Sequence, residues 1–173
     1  MLRILIYDTN YVSGIARIIV LTKIRYWQKK GCQMTVFGTK EAKSFYRSQV
    51  KSLNYFSLDY VYHIKNPYQL IWEVSKINIL AFLKIKQLLR KFDIIYSQSS
   101  VIDFLFIQWV IKLFDWRVRW FVMVDNLVPS PGKRPGSYLQ QFFPYLAFLL
   151  GNFLLKKADG IFTVTDSIKN YYR

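Results

Sequence analysis

The chain has 173 residues, 53% of them hydrophobic, with 25 Lys and Arg against 10 Asp and Glu for a formal net charge of +15. That length suits one domain with a real core, and the apolar content excludes intrinsic disorder. A single cysteine, Cys32, and a single histidine, His63, exclude an internal disulfide and a zinc cluster, so nothing asks for an oxidising compartment and a cytoplasmic location is expected.

Residues 2–7 form an apolar run broken by Arg3 and ended by Asp8. It predicts a buried strand and is shorter than the roughly 7–15 residues of a signal-peptide core. A polar turn with Asp8, Thr9, Asn10, Ser13 and Gly14 leads into a helix over 15–30, which Gly31 stops. Residues 33–37 predict the second strand, 40–51 a short basic amphipathic helix, and 55–64 one or two further strands. Pro67 opens a helical stretch over 68–91, with a break expected near 75–78. Residues 93–96 predict a strand and 97–100 a turn, with Ser100 and Asp103 as a capping box for a helix over 101–114. A strand over 118–124, a long loop over 125–136, a helix from 138 to 155, a strand over 160–164 and a terminal helix capped by Asp166 or Ser167 complete the chain.

Residues 138–155 hold no formal charge over 18 positions, which touches the length of a membrane-spanning helix. Gln140, Gln141, Pro144, Gly151 and Asn152 within it, and Lys156 and Lys157 after it, argue instead for a core or membrane-facing helix. Strand alternating with helix along the whole chain predicts an α/β fold: an open, mostly parallel Rossmann-like sheet with helices on both faces. In such sheets ligands bind beyond the carboxyl ends of the strands. Those ends are 8–14, 38–40, 97–100, 125–136 and 165–167.

The first of these loops opens a helix and is followed by Arg17. Backbone amides at a helix start, a glycine that allows close approach and a guanidinium together suit a phosphate, which makes Asn10, Ser13, Gly14 and Arg17 candidate binding residues. The same segment also reads as an ordinary βα turn with Ser13 as N-cap. The loop 125–136 contains three prolines, two glycines, Lys133 and Arg134. A connection that long in a compact α/β domain usually serves binding. Asp125 follows a buried strand directly, where a carboxylate can orient a hydroxyl or act as a base, or cap nearby amides. Asn126, Lys133, Arg134 and Ser97 join it as substrate-binding candidates. His63 lacks a partner motif and reads as structural, Cys32 as an inert core thiol, and the remaining aspartates as caps. No metal site is expected.

The charge surplus needs a partner. Lys40, Lys43, Arg47 and Lys51 share a segment with Phe45 and Tyr46, which suits an anionic membrane surface. Nucleic acid is the disfavoured partner, since no recognised binding motif is present.

Several segments in this order resemble glycosyltransferase family 4, within the GT-B glycosyltransferases. They are Ile4-Leu5-Ile6 leading to Ser13-Gly14, the helix ending in Lys30-Gly31 before Met34-Thr35-Val36, Phe92 to Ser97, and Lys157 to Ser167. The resemblance implies the N-terminal, acceptor-binding domain, with a nucleotide-sugar donor as substrate and neither metal nor cofactor. It carries phosphate-turn roles to Ser13 and Gly14. From the pair the family often places after the fifth strand it carries only Asp125, because Val124 stands where a histidine would. It also implies that a second, nucleotide-sugar domain is needed, in cis beyond Arg173 or on a separate chain. The chain alone is then inactive, and the acceptor is a glycan or a lipid-linked glycan. The rival expectation is a non-catalytic Rossmann-like module whose basic surface holds nucleic acid or a protein.

Overall fold

The computed structural model describes residues 1–9, 14–63, 67–99, 102–125, 127–128, 130–133 and 138–172. Six strands, β1 (Arg3–Asp8), β2 (Gln33–Gly38), β3 (Asn54–Ser57), β4 (Ile94–Gln98), β5 (Arg119–Val124) and β6 (Gly160–Thr163), form one sheet in the order β3-β2-β1-β4-β5-β6. Every neighbouring pair is parallel. The connecting helices are α1 (Gly14–Lys29), α2 (Lys40–Gln49), α3 (Pro67–Leu83), α4 (Ile102–Phe114), α5 (Tyr138–Leu155) and α6 (Asp166–Tyr171). The predicted doubly covered α/β sheet is therefore present, and its continuous apolar strands follow from that covering.

Alternation along the strands sorts the core into two layers. Ile4, Ile6, Val36 and Tyr96 pack against Val20, Leu21 and Ile24 of α1 and Ala42 and Tyr46 of α2. Leu5, Phe37, Ile95, Trp120 and Val122 pack on the other side against Ile77 of α3, Leu105 and Ile111 of α4 and Leu154 of α5. Side chains two apart share a face of a strand, so this division is the period-2 pattern of each strand made three-dimensional.

Residues 55–64 hold one strand, within the one or two expected, and three other expectations need correction. Beyond Ser57 the chain is a loop pinned by Leu58 N–H on Gly38 O at 2.8 Å and Tyr62 OH on Thr9 O at 2.7 Å. The helix over 68–91 is unbroken at 75–78, because Ser75 Oγ donates to Ile71 O and Asn78 Nδ2 to Val74 O, so both polar side chains are satisfied by the helix's own carbonyls. It ends at Leu83, followed by a 3₁₀ turn over Ile85–Gln87. The terminal helix is capped by Thr165, whose Oγ1 accepts from Ile168 N–H at 3.3 Å. Cys32 precedes β2 and is only half-buried, while His63 is exposed and tied by its backbone amide to Glu73. The Ser100 cap lies outside the described residues. α5 holds as a helix through Pro144, and among the described residues no helix is long and apolar enough to cross a membrane.

Gly38 ends β2 against β1. A Cβ there would sit 2.2 Å from Asp8 O and 3.0 Å from Ala42 Cβ. Since Asp8 and Gly38 are ladder partners, that contact cannot relax without opening the sheet. Gly38→Ala is expected to cost about 2–3 kcal/mol, an overpacking penalty at the upper end of its ordinary range, and to lower the melting temperature by about 4–12 °C for a domain of this size. A melting temperature equal to wild type would show that the strands separate there at no cost.

At the opposite edge of the sheet two carboxylates titrate low. Arg3 donates to Asp93 through its side chain, with NH2 to Oδ1 at 2.9 Å, and through its amide, which holds Asp93 below the usual carboxylate range. Burial pushes Asp159 up, but hydrogen bonds from Lys112 Nζ and Trp120 N–H, both 2.7 Å, outweigh it and hold Asp159 low as well. With both folded-state values depressed, the unfolded chain binds more protons through the acid range. The stability they supply is complete above the ordinary carboxylate value near about 4 and is lost as pH falls through the lower folded values. Melting curves between neutral and acid pH should show that loss. Asp159→Asn should flatten the curve, and an unchanged slope would contradict the assignment.

Candidate active site at the carboxyl edge

The chain enters the sheet at β1, builds outward to β2 and β3, then returns to place β4 on the other side of β1. The crevice between β1 and β4 is thus where the winding reverses, the position at which open α/β sheets bind ligands. Three polar side chains stand there on one face. Asp8 ends β1 and Gln98 ends β4, each continuing the parity of the residues that face α1. Asp125 lies two residues beyond Met123 of β5, again on that parity. Asp8 and Asp125 are thus two strand spacings, roughly 10 Å, apart. Gln98 lies between them, its Nε2 donating to Asp125 Oδ2 at 2.9 Å.

Each carboxylate is anchored differently. Asp8 is 3% exposed and accepts from Tyr46 OH at 2.8 Å and from Arg17 Nε at 3.4 Å. Burial, and after it the negative charge of Asp8, pushes the Tyr46 phenol far above its usual value, so it remains a donor. Asp125 is half-buried. Lys23, from the middle of α1, lies within its electrostatic reach. Burial lowers the lysine ammonium from its ordinary value and Asp125 draws it back up. The lysine donates to Tyr96 OH and to Met123 Sδ. A carboxylate held by an amide on one side, with a half-buried cation within electrostatic reach, is oriented at the carboxyl edge, where a carboxylate can meet a substrate hydroxyl.

The loop after β5 carries its own support. Ser130-Pro131-Gly132-Lys133 closes with Lys133 N–H on Ser130 O at 3.2 Å, and Gly132 takes φ 88°, the left-handed value that a type II turn with proline second requires. Gly132 N–H donates to Oε1 of buried Gln141 at 2.6 Å. That bond explains a glutamine in the otherwise apolar α5, and it leaves Lys133 exposed.

Of the residues expected from sequence, Gly14, Arg17, Ser97 and Asp125 lie at this edge. Arg17 is turned onto Asp8. Ser97 is buried, with its Oγ accepting from Trp120 Nε1 at 3.2 Å. Asn10, Ser13, Asn126 and Arg134 lie outside the described residues. Lys40, Arg47 and Lys51 are exposed along α2 and just after it, and Lys43 is half-buried. Tyr46 is buried in the α1–α2 core layer and Phe45 packs against it, so the exposed residues of α2 are all polar or charged. Sequence reasoning reads Asp8 as a cap and Tyr46 as part of the membrane-facing segment of α2, and it passes over Lys23 and Gln98. Asp8 is visible as a carboxylate ending the first strand, but nothing local marks a tyrosine two turns into α2 as its partner, or a lysine in the middle of α1 as a neighbour of Asp125. Among the described residues no group of three His, Cys, Asp or Glu side chains gathers as a metal site.

Residues 13–173 match the sequence model of Glycosyltransferase Family 4. No curated protein matches the sequence. Solved structures share the fold at low identity. Acinetobacter baumannii MurG is 13% identical with a TM-score of 0.53, over 94% of this chain and 41% of that one. A putative UDP-N-acetylglucosamine 2-epimerase from Listeria monocytogenes is 12% identical with a TM-score of 0.59, over 99% and 41%. An E. coli trehalose-6-phosphate structure bound with UDP-2-fluoro glucose is 12% identical with a TM-score of 0.59, over 98% and 41%. The chain thus spans less than half the length of these structures, and identities this low speak to the fold alone.

Proposed function

The chain belongs to glycosyltransferase family 4, and from that premise we propose that it is the acceptor-holding half of an enzyme that transfers a sugar from a nucleotide-sugar donor to a glycan or lipid-linked glycan. The observation that carries the reading is the row Asp8, Gln98 and Asp125 across the β1–β4 crevice, with Asp125 half-exposed and held by Gln98.

In this reading an acceptor hydroxyl lies on Asp125. Its oxygen attacks the anomeric carbon, the bond from that carbon to the nucleotide's phosphate oxygen breaks, the nucleoside diphosphate leaves with the electron pair, and the proton passes to the Asp125 carboxylate. The backbone at the start of α1, beside Gly14, supplies positive potential for the donor phosphates, while Arg17 is engaged by Asp8. Exposed Lys133, with Asn126 and Arg134 of the same loop, holds anionic or hydroxylated parts of the acceptor. No metal or cofactor takes part. The donor is gripped by a nucleotide-sugar domain supplied in cis or by a separate chain, and without it the chain does not turn over. The work fits polysaccharide or glycolipid assembly, with the protein peripheral on the cytoplasmic face of a membrane.

The test is reconstitution. The chain is joined to, or mixed with, a family 4 nucleotide-sugar domain and given radiolabelled UDP-sugars and a membrane lipid extract. Label should enter an extractable product only when both halves are present. Tight, salt-sensitive binding of nucleic acid, with no label transferred, would favour a non-catalytic basic module.

A further inference from the structure

The outer face of the α3–α4–α5 layer carries apolar surface that folding of this domain does not use. α5 turns Phe142, Phe143, Leu146, Leu149, Leu150 and Phe153 into solvent. Their spacing places all six in one arc of the helix. Exposed Lys156 and Lys157 continue that arc just past its end. α3 repeats the arrangement with Trp72, Ile79 and Leu83, exposed at 61%, 61% and 72%. Its one acidic residue, Glu73, is buried, where it accepts from Tyr60 OH. α4 is sunk between them, with Phe106 and Trp109 partly buried and Leu113 exposed along one stripe. Exposed apolar faces rimmed by polar residues mark protein or membrane contacts.

Where α4 and α5 run out, the rim is cationic. A cleft of about 710 Å³ opens beside the starts of β1, β4 and β5. Arg3, Arg90, Arg117 and Arg119 line it with two carboxylates, Asp93 and Asp115, which leaves a positive surplus, and Phe114 and Trp116 also face it. Trp116 is 77% exposed on a turn fixed by buried Asp115, which accepts from Arg90 N–H at 2.9 Å.

We propose that this face docks the protein on a bilayer rich in anionic phospholipid. The α3 and α5 arcs lie at the acyl-chain boundary, the exposed tryptophans at headgroup level, and the lysines and arginines of the rim on lipid phosphates. Charge complementarity selects this occupant. Neither outward arc carries an acid, and a second copy packed on the same patch would set one cationic rim against the other. The face also lies across the sheet from α2, roughly 20 Å away, so the two surfaces cannot rest on one flat bilayer together. Docked this way, the carboxyl-edge crevice opens at the side of the protein, with Asp8, Gln98 and Asp125 on the sheet face turned away from the bilayer. The inference rests on exposure and charge and holds apart from the sugar-transfer reading.

The experiment is cosedimentation of the 173-residue chain with vesicles of phosphatidylcholine alone and of an equal mixture with phosphatidylglycerol. Binding should require phosphatidylglycerol and fall with salt. Leu83→Asp with Phe153→Asp should lower it more than about tenfold, and Lys156→Glu with Lys157→Glu by about tenfold or more, since each cation is worth about fivefold in partitioning. Lys43→Glu with Arg47→Glu on α2 should change it by less than about twofold. Circular dichroism of each variant checks its fold, and the lysine pair lies outside the core should the apolar pair fail to fold. Equal binding to both vesicles, undiminished binding by both rim and arc variants, or loss through the α2 pair would overturn the proposal. So would a dimer that the arc variants split without altering lipid binding, since a second copy would then be the occupant.

Discussion

Asp125→Asn in the completed enzyme is expected to lower the turnover number about 10²–10⁴-fold, the usual contribution of a positioned proton acceptor, with little change in donor KM. The asparagine keeps the shape of the side chain and an oxygen for Gln98 Nε2, so geometry is preserved and only the charge is lost. Melting of the isolated 173-residue chain should move by no more than a few degrees, because Asp125 is half-exposed and not part of the buried Asp8 cluster. Gln98→Ala should follow in the same direction with a smaller loss, since it orients the carboxylate without touching the transferred proton. If Asp125→Asn transfers sugar at the wild-type rate, the residue is a cap for the loop after β5.

Asp8→Ala is expected to act on the fold. It strips the largely buried Arg17 guanidinium and the Tyr46 hydroxyl of a shared acceptor, and breaking a buried, hydrogen-bonded ion pair on one side costs about 3–5 kcal/mol. For a domain of this size that corresponds to about 6–20 °C in melting temperature. Tyr46→Phe, which removes one donor and leaves the ion pair, should cost about 1–3 kcal/mol. A drop in Asp8→Ala no larger than in Tyr46→Phe would show that the ion pair contributes nothing beyond the phenol bond.

These two residues mark how far the sequence could be read. The sheet was legible because its strands are short apolar runs and its helices amphipathic, and both patterns follow directly from which faces are covered. The carboxyl-edge loops followed from the same pattern, and Asp125 was found because it is the first polar residue after such a run. Partnerships were not legible. Asp8 meets Tyr46 across 38 positions, and Lys23 meets Tyr96 across 73, only because the helices lie over the sheet in one register. The break expected near Ser75 and Asn78 failed for a local reason, since side chains that ordinarily compete with a helix were satisfied by its own carbonyls. The basic segment of α2 reads as a lipid-binding helix until the core claims Tyr46 and packs Phe45 against itself, whereas the uncharged α5 shows its outward apolar arc only once its buried side is known.

Amide-shift mapping of the isotope-labelled chain, titrated with a short-chain, phosphate-linked disaccharide, asks whether the β1–β4 crevice holds an acceptor. Saturable shifts are expected at Asp8, Thr9, Gly14, Gln98 and Asp125, abolished by Asp125→Ala. Shifts confined to α2 or to the outer face of α3 and α5, with the carboxyl-edge amides unmoved at saturation, would contradict acceptor binding in the crevice.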